Sequence, residues 1–335
     1  MKRSNDRPLW GCSRLINSTM ISLSDIKQVA REVGFDACGV ARLRPMEAEA
    51  RELEAWIARG YHAGMDYMTR YIDLRRDPAG LLAGAQSVIV CLMSYKTDRK
   101  YAEGIPRIAA YARSGDYHYS IKRRLEALAE RLQTLTPESR ARCFVDSAPV
   151  LEKAWAVEAG LGYIGRNTLL IHPELGSFVL IGTILTTLPL SEYDTPYPEN
   201  HCGGCHKCVE NCPAGALRAD GSLVPNGGLD ANRCLSYQTI ENRQPIPENL
   251  LPRLAGRLFG CDSCQDICPH NAAAPIKNHD IFQPIEGIYD QSAEAWLALS
   301  NSAFKRRFGH TPLARAGLRK IKQTIEQAIK RAKEG

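Results

Sequence analysis

Long apolar runs, low-complexity stretches and an export signal are all absent from this sequence of 335 residues. No segment is apolar and long enough to span a bilayer, which argues against a helical membrane protein. Residues 1–20 carry charges but no continuous apolar core, so we interpret them as an N-terminal extension, with Met20 as a candidate true start. These absences predict a cytoplasmic protein that does not contact a membrane.

Twelve cysteines occur in a chain whose composition, 44% hydrophobic and 24% charged residues, is typical of a folded globular protein. Because the sequence has no export signal and is not small, metal ligation is a better interpretation of these cysteines than disulfides. The compartment is therefore expected to be reducing. The net charge of +6 is modest for this length, so its distribution matters more than its sum.

The sequence predicts four segments and a fold class of α/β or α+β. An extension over residues 1–20 precedes an α/β domain over 21–190, in which helical and strand patterns alternate. Pro189, Pro196 and Pro198 mark a linker into a ferredoxin-like module over 191–280. A basic helical region follows over 281–335. We expect a monomer.

Local patterns predict the main elements of the α/β domain. Helices are expected from a cap at Ser24-Asp25 to Gly34, over 46–60, over the apolar positions of 121–132, and from Pro149 to Gly160. Strands are expected over residues 87–93, 143–145 and 178–185.

The C-terminal region is strongly basic. Between Lys305 and Glu334, ten Lys and Arg residues face two acidic ones. This imbalance predicts contact with nucleic-acid phosphates. The alternative is an amphipathic helix that exposes its charges to solvent and packs its apolar face inward. That apolar face comprises Leu318, Ile321, Ile325 and Ile329.

The most specific motif is a run of cysteines with the spacing C-x2-C-x2-C-x3-C-P. It is formed by Cys202, Cys205, Cys208 and Cys212-Pro213. In bacterial ferredoxins, the first three thiolates of this run hold one 4Fe–4S cubane and the fourth reaches a second one. The run therefore predicts two clusters and a second set of ligands elsewhere.

A second group, Cys261, Cys264 and Cys268-Pro269, repeats the end of this pattern but lacks one upstream cysteine, for which Cys234 is available. The crossover rule then assigns four ligands to each cluster. The first set is Cys202, Cys205, Cys208 and Cys268, and the second set is Cys212, Cys234, Cys261 and Cys264.

Structural zinc sites are the alternative, but zinc knuckles need neither the third cysteine of the run nor the proline after the fourth. Four further cysteines, Cys12, Cys38, Cys91 and Cys143, are interpreted as inert small hydrophobic residues. Iron–sulfur clusters transfer single electrons, so we expect the α/β domain to hold the cofactor that uses them.

Two further motifs are weaker. Gly160-Leu-Gly162-Tyr-Ile-Gly165 matches G-x-G-x-x-G, but it follows a predicted helix and lacks an acidic residue about twenty positions later, so we reject a dinucleotide site. Asp116-Tyr-His118 is similar to the start of the D-x-H-x-x-G motif that supplies a histidine to cobalamin. Because Ile121 replaces the glycine, we interpret His118 as solvated or structural.

Asp146 lies where a predicted strand turns into a helix. Such a position is often exposed at the end of a sheet, which suits a catalytic carboxylate. A helix cap is an equally good interpretation of the position alone.

Taken together, five segments resemble the epoxyqueuosine reductase family, from about Ser22 to Asn271. They are Asp146-Ser-Ala-Pro-Val-Leu-Glu152, Ala159-Gly-Leu-Gly-Tyr-Ile-Gly-Arg-Asn-Thr168, His201-Cys-Gly-Gly-Cys-His-Lys-Cys208, Cys234-Leu-Ser-Tyr-Gln-Thr-Ile-Glu241 and Gly260-Cys-Asp-Ser-Cys-Gln265. Agreement of several motifs in order is far more specific than any one of them.

The resemblance implies a cobalamin-dependent enzyme, related to reductive dehalogenases, that removes the epoxide oxygen from epoxyqueuosine in tRNA. In that family two 4Fe–4S clusters, fed by an external electron donor, reduce the cobalt, and a carboxylic acid protonates the departing oxygen. Asp146 matches this acid. A carboxyl beside an apolar corrin is expected to have a raised pKa, which keeps it protonated.

The resemblance also implies cobalamin contacts away from Asp146. The matching positions are Arg70, Tyr111, Gly165, Arg166, Asn167, Thr168, Ser236 and Asp262. Tyr163 and Arg166 depart from the family's usual tryptophan and lysine. The alternatives are a reductive dehalogenase, which usually has an export signal and a tyrosine as proton donor, and a ferredoxin-type electron carrier without a substrate.

Overall fold

A computed structural model describes residues 21–198, 200–218 and 228–334, so the predicted extension and Cys12 lie outside the described residues. The strands are β1 (Ala37–Arg42), β2 (Ser87–Ser94), β3 (Arg107–Ile108), β4 (Ala141–Phe144), β5 (Tyr163–Ile164), β6 (Leu170–Ile171), β7 (Val179–Thr186) and β8 (Arg257–Phe259). The helices are α1 (Leu23–Glu32), α2 (Glu47–Ala58), α3 (Ile72–Arg76), α4 (Tyr117–Leu135), α5 (Glu152–Glu158), α6 (Lys207–Glu210), α7 (Leu235–Ile240), α8 (Leu251–Leu254), α9 (Ser263–Asp266), α10 (Pro269–Ala273), α11 (Ala293–Ala298), α12 (Asn301–Phe308) and α13 (Gly317–Glu334).

The main sheet has four strands in the order β1-β2-β7-β4, and every neighbouring pair is antiparallel. The sequence left α/β and α+β open, and the antiparallel pairing agrees with α+β. The three predicted strands are confirmed as β2, β4 and β7.

Alternation along β2 explains why both faces of this sheet are covered. Side chains of successive strand residues point to opposite faces. Ile89, Cys91 and Met93 pack with α1 and α4 on one face. Val88, Val90 and Leu92 pack with α5 on the other. Cys38 and Cys143 also pack against the first of these cores, as expected for inert small hydrophobic residues.

Two predicted helix starts are wrong. The cap of α1 is Ser22 rather than Ser24-Asp25: its hydroxyl accepts from the Asp25 amide, and Asp25 accepts in return from the Ser22 amide. Helix α5 begins at Glu152 instead of Pro149, because residues 146–150 form a separate turn before it. Asp146 is therefore not the cap of α5, whose N-cap residue is Leu151.

The cysteine-rich segment packs closely on the rest of the molecule. Strand β3 pairs in parallel with β8, across the predicted boundary at residue 190. The indole nitrogen of Trp56 in α2 donates to the carbonyl of Leu229 over 2.6 Å. These contacts join the cysteine-rich segment to α2 and to the short strand that follows β2.

The C-terminal region is helical, as predicted, and it packs on β3 and β8. Leu318, Ile321 and Ile325 are buried, whereas Ile329 is 36% exposed. The basic residue Lys320 is also buried, and its ammonium donates to the carbonyl of Gln244 over 2.8 Å. Not every basic residue of this region thus faces solvent. Within the described residues, none of the helices has the length and apolar character needed to cross a membrane.

Candidate redox site

The first cysteine set lies against the β5–β6 hairpin, where Cys202 and Cys268 pack with Tyr163. The pKa of Cys208 is raised to about 11, first by burial and then by the nearby Cys202 and Cys268. All four cysteines of the set line one small cavity, together with Arg166. Thiols held this close can all ionise only where a cationic centre offsets the repulsion between the thiolates, and an iron cluster supplies such a centre.

The second set lies just after α6, at the start of α7, and in α9 with the loop that leads into it. Burial raises the pKa of Cys264 well above its ordinary value, and Cys234 and Cys261 add to this shift. The backbone amide of Ala216 donates to the sulfur of Cys212 over 3.2 Å. The structure thus brings the eight cysteines together in the two sets that the crossover rule gives, and ligation by them stays a prediction.

A cavity of about 660 Å³ opens between α2, α3, α5 and β7, and Arg70, Tyr111 and Asp146 are among the residues that line it. Its wall includes a row of tyrosine rings that meet edge to face. The centroids of Tyr95 and Tyr111 are 6.5 Å apart, and those of Tyr111 and Tyr117 are 6.0 Å apart. The cavity therefore combines a large apolar surface with a few polar groups, as cofactor sites do.

Two polar atoms of the cavity wall lack partners. Within the described residues, Oε2 of Glu49 and Nε of Arg75 are buried and make no hydrogen bond. Leaving such groups unpaired costs about 1–3 kcal/mol each. A ligand with amide groups at its edge, which donate and accept hydrogen bonds, would satisfy both atoms.

Asp146 lies on a strained turn between β4 and α5, with a φ of +56° that residues other than glycine, asparagine and aspartate rarely adopt. Its amide donates to Oε1 of Glu152 over 2.8 Å. Its carboxylate accepts a hydrogen bond of 2.9 Å from the Tyr117 hydroxyl and lies 3.6 Å from Nε2 of His118. The turn thus presents the carboxylate at the cavity wall, and Tyr117, His118 and Glu152 hold Asp146 in this position.

The charges around Asp146 differ from what the resemblance led us to expect. The pKa of Asp146 is lowered, mainly because His118 lies beside it. The pKa of His118 is raised to about 9, first by Asp116, which lies 2.7 Å from Nδ1, and then by Asp146. Asp146 is therefore ionised at neutral pH, and His118 carries the proton.

Sequence reasoning missed three members of this site: Tyr117, His118 and Glu152. The Asp116-Tyr-His118 motif predicts a solvated or structural His118, not a partner of Asp146. Glu152 lay in the segment that carries the resemblance, without a role. Its pKa is raised to about 8, first by burial and then by Asp146. Two polar motifs could have indicated these residues: Asp116-Tyr-His118 at the start of α4, and the segment from Asp146 to Glu152 just after β4.

The glycine-rich turn lies between the 660 Å³ cavity and the first cysteine set. Gly162 has a φ of +139°, and a Cβ there would lie 2.2 Å from the carbonyl oxygen of Ile171, so the glycine permits the tight β5–β6 hairpin. Arg166 and Asn167 line the cavity of the cysteines instead of the larger one. Thr168 accepts through its carbonyl from Lys153, which does line the larger cavity.

The last two predicted contacts lie near the second cysteine set. Ser236 is in α7, two residues after Cys234. Asp262 accepts a 2.7 Å hydrogen bond from the amide of Ala110, and burial raises its pKa to about 6. Asp262 lines a separate cavity of about 1100 Å³, and Gly165 and Ser236 are not among the described residues that line the 660 Å³ cavity.

Tyr95 connects the 660 Å³ cavity to the second cysteine set. Its ring lines the cavity, and its hydroxyl lies 3.5 Å from Oε1 of Gln265, the residue after Cys264. Burial and then Asp262 raise the pKa of Tyr95, and Cys264 adds to this rise. The fold and the site define an iron–sulfur oxidoreductase, in which two cysteine sets lead to a large cavity with a carboxylate at its wall.

Comparisons with known proteins identify the family. The model described as "Epoxyqueuosine reductase QueG, DUF1730" matches residues 75–147, and the model "4Fe-4S double cluster binding domain" matches residues 201–271. An epoxyqueuosine reductase from Leadbetterella byssophila is 38% identical over 301 residues, which cover 90% of this chain and 96% of that protein. The chain belongs to the epoxyqueuosine reductase family. Its clusters are of the 4Fe–4S type, as the cysteine spacing predicted.

Solved structures agree with this assignment. An epoxyqueuosine reductase with an epoxyqueuosine-modified tRNA-Tyr stem loop superposes with a TM-score of 0.82 at 29% identity, covering 91% of this chain and 80% of that chain. A second structure, from Bacillus subtilis, has a catalytic aspartate loop swung out of the active site. It superposes with a TM-score of 0.83 at 27% identity, covering 93% and 82%.

Proposed function

We propose that this chain reduces epoxyqueuosine in tRNA to queuosine, with cobalamin bound in the 660 Å³ cavity. Removing the epoxide oxygen as water consumes two electrons and two protons. The observation that best supports this proposal is the position of Asp146. It lies on a strained turn at the wall of a cavity that Tyr95 connects to the second cysteine set. Residues 21–190 would bind the cofactor, and residues 191–280 would hold the clusters that an external donor reduces.

The cavity wall fits cobalamin. Its tyrosine rings and aliphatic side chains suit a broad apolar macrocycle, and the unpaired atoms of Glu49 and Arg75 suit the amide groups around that ring. Arg70, Tyr111 and Lys153 are the further polar groups that would hold it. When bound, reduced cobalamin supplies the electron pair that opens the epoxide.

The chain itself would supply the proton. An alkoxide leaves poorly unless an acid delivers a proton to it. Asp146 is exposed over 65% of its side chain, so it can reach a substrate, and His118 lies 3.6 Å away. We assign Asp146 as the group that delivers one of the two protons to the oxygen: His118, which carries this proton, would pass it through the Asp146 carboxylate, and Tyr117 would orient that carboxylate.

The basic C-terminal helices remain the proposed contact for the body of the tRNA. Arg319 is exposed and Lys322 is half-buried. Arg315 pairs instead with Glu241, at 2.9 and 2.8 Å. The phosphate contacts are therefore assigned to the exposed members of this region.

Asp146→Asn tests the chemical role. We expect iron content and cobalamin binding to stay at wild-type levels, while single turnover of pre-reduced enzyme slows by about 10²–10⁴-fold, the usual effect of losing a general acid. Rapid-quench assays on modified tRNA measure this step. Wild-type turnover in the variant would remove Asp146 from the chemistry.

Nucleoside analysis tests the function as a whole. Cells that lack this protein should accumulate epoxyqueuosine in their tRNA, and the wild-type gene, but not the Asp146→Asn gene, should restore queuosine. Normal queuosine in the deletion strain would overturn the proposal.

A further inference from the structure

A second cavity lies on the other side of the Asp146 turn. It has a volume of about 450 Å³ and shares Ser147, Ala148 and Pro149 with the wall of the 660 Å³ cavity. The three shared residues directly follow Asp146. A group bound in the second cavity would thus lie next to the substrate of the first.

The lining of this second cavity is cationic. Lys122 and Arg142 line it, as does His118, and no acidic side chain is among the described residues that do so. His118 is already balanced by Asp116 and Asp146. The positive charge that remains at the lining therefore comes from Lys122 and Arg142, whereas Glu126 and Glu130, which act on Cys143, do not line the cavity.

These two cations are available in different ways. The Arg142 guanidinium donates a hydrogen bond to the carbonyl of Leu81 over 2.5 Å, and this bond holds Arg142 in place beside the Phe144 ring. Lys122 is exposed, and none of the hydrogen bonds and ion pairs within the described part of the chain involves it. A positioned guanidinium beside a free ammonium suits a phosphate ester.

An aromatic ring completes the cavity. Tyr119 lines it and is 66% exposed, so its ring is accessible to a ligand. The Arg123 guanidinium lies over this ring, 5.8 Å from its centroid, and adds positive charge at the rim. Exposed aromatic rings beside cations are how proteins bind unpaired nucleotides, by stacking the base and pairing the phosphate.

We propose that this second cavity binds an unpaired nucleotide adjacent to the modified one in the tRNA loop, with its phosphate on Lys122 and Arg142 and its base on Tyr119. This inference rests on the proposed function, since it places the tRNA loop across the Asp146 turn. The inference assigns binding of this unpaired nucleotide to residues 119–142 and not to the C-terminal helices.

Binding of an anticodon stem-loop RNA across a salt series tests the inference. Lys122→Ala should weaken binding and flatten the slope of log K against log salt by about 0.7–0.9, the value for one lost phosphate contact. Tyr119→Leu should weaken binding roughly 5- to 150-fold, whereas Tyr119→Phe, which keeps the ring, should bind like wild type. Lys100→Ala, an exposed lysine of the 1100 Å³ cavity, is the matched control and should change nothing.

Turnover separates this inference from the proposed function. At saturating RNA the single-turnover rate of Lys122→Ala should equal that of wild type, because the site binds substrate without touching the epoxide. If Lys122→Ala behaves like Lys100→Ala, or Tyr119→Phe binds as weakly as Tyr119→Leu, the inference is overturned. If wild-type enzyme leaves the epoxide intact, the proposed function fails, whatever the binding series shows.

Discussion

The cysteine-rich segment and the turn around Asp146 hold their functional groups by different means. Four of the predicted ligands lie between Cys202 and Cys212, where short turns of chain space them. The carboxylate of Asp146 instead meets Tyr117 and His118 from α4, and its amide meets Glu152 from α5. Spacing along the chain thus positions the ligands, whereas packing between helices sets the charge of the acid.

The largest effects are expected where spacing alone decides the arrangement. Cys208→Ser and Cys212→Ser change cysteines only four residues apart, yet the crossover rule sends them to different cubanes. We expect each variant to lose mainly one cluster, a different one in each case, and turnover to fall to background in both. Iron counts and spin-resonance spectra of the two variants measure this.

Cys91→Ser is a matched control for that pair, since Cys91 lies in the sheet core, away from both sets. It should keep both clusters, although with some loss of stability. Loss of the same cluster in the Cys208 and Cys212 variants would refute the crossover assignment. It would also end the contrast between the two regions, because local spacing would no longer identify the ligands.

The same contrast explains how much could be predicted from the sequence. The two cysteine sets, the three strands and the family followed from spacing, periodicity and ordered motifs. Strand β2 was predictable because its eight residues are apolar or small and buried on both faces. These features depend on residues close together in the chain.

The setting of Asp146 could not be predicted in this way. His118 lies 28 positions before Asp146, and its effect on the carboxylate requires α4 to pack against the end of β4. The expected rise in the pKa of Asp146 assumed an apolar neighbour, whereas the neighbour is a histidine that lowers it. Direct pairing with an opposite charge here outweighs burial.

Glu152→Gln tests the packing side of the comparison. The pKa of Glu152 is about 8 in the folded chain, above its ordinary value of 4.5, so the folded state binds the proton more tightly. Stability should therefore fall as pH rises from about 4.5 to 8. Glutamine keeps the acceptor for the Asp146 amide but cannot ionise. The stability of the variant should therefore fall by about 1–2 kcal/mol less than that of the wild type over this pH range. This difference is smaller than the full pKa shift implies, because Glu152 is only half-buried.

Urea unfolding of both proteins at pH 5 and pH 8 measures this difference, and the contributions of Asp146 and His118, present in both, largely cancel. Glu152→Ala, which also removes the acceptor, should in addition slow turnover roughly 2- to 10-fold, the effect of one hydrogen bond. Parallel stability curves for wild type and Glu152→Gln would mean that Glu152 is not held in a low-dielectric setting.

The smallest expected effect tests whether packing also acts within the cysteine-rich segment. A guanidinium nitrogen of Arg257 donates to Oγ of Ser263 over 2.6 Å, and this Oγ lies 3.3 Å from the sulfur of Cys261. Because the hydroxyl oxygen already accepts from Arg257, its own proton is free to donate to the thiolate. Hydrogen bonds to cluster sulfurs favour the reduced, more negative state and so raise the reduction potential.

Ser263→Ala should therefore lower the potential of the second cluster by about 20–60 mV, the one-electron equivalent of a hydrogen bond of about 0.5–1.5 kcal/mol. The first cluster of the same protein is the internal control, and its potential should not move. Redox titration followed by spin resonance resolves the two clusters. An equal shift in both would mean that the substitution acts on the whole module, and no shift in either would leave the hydroxyl without influence on Cys261. A shift confined to the second cluster would show that packing tunes even those ligands that chain spacing positions.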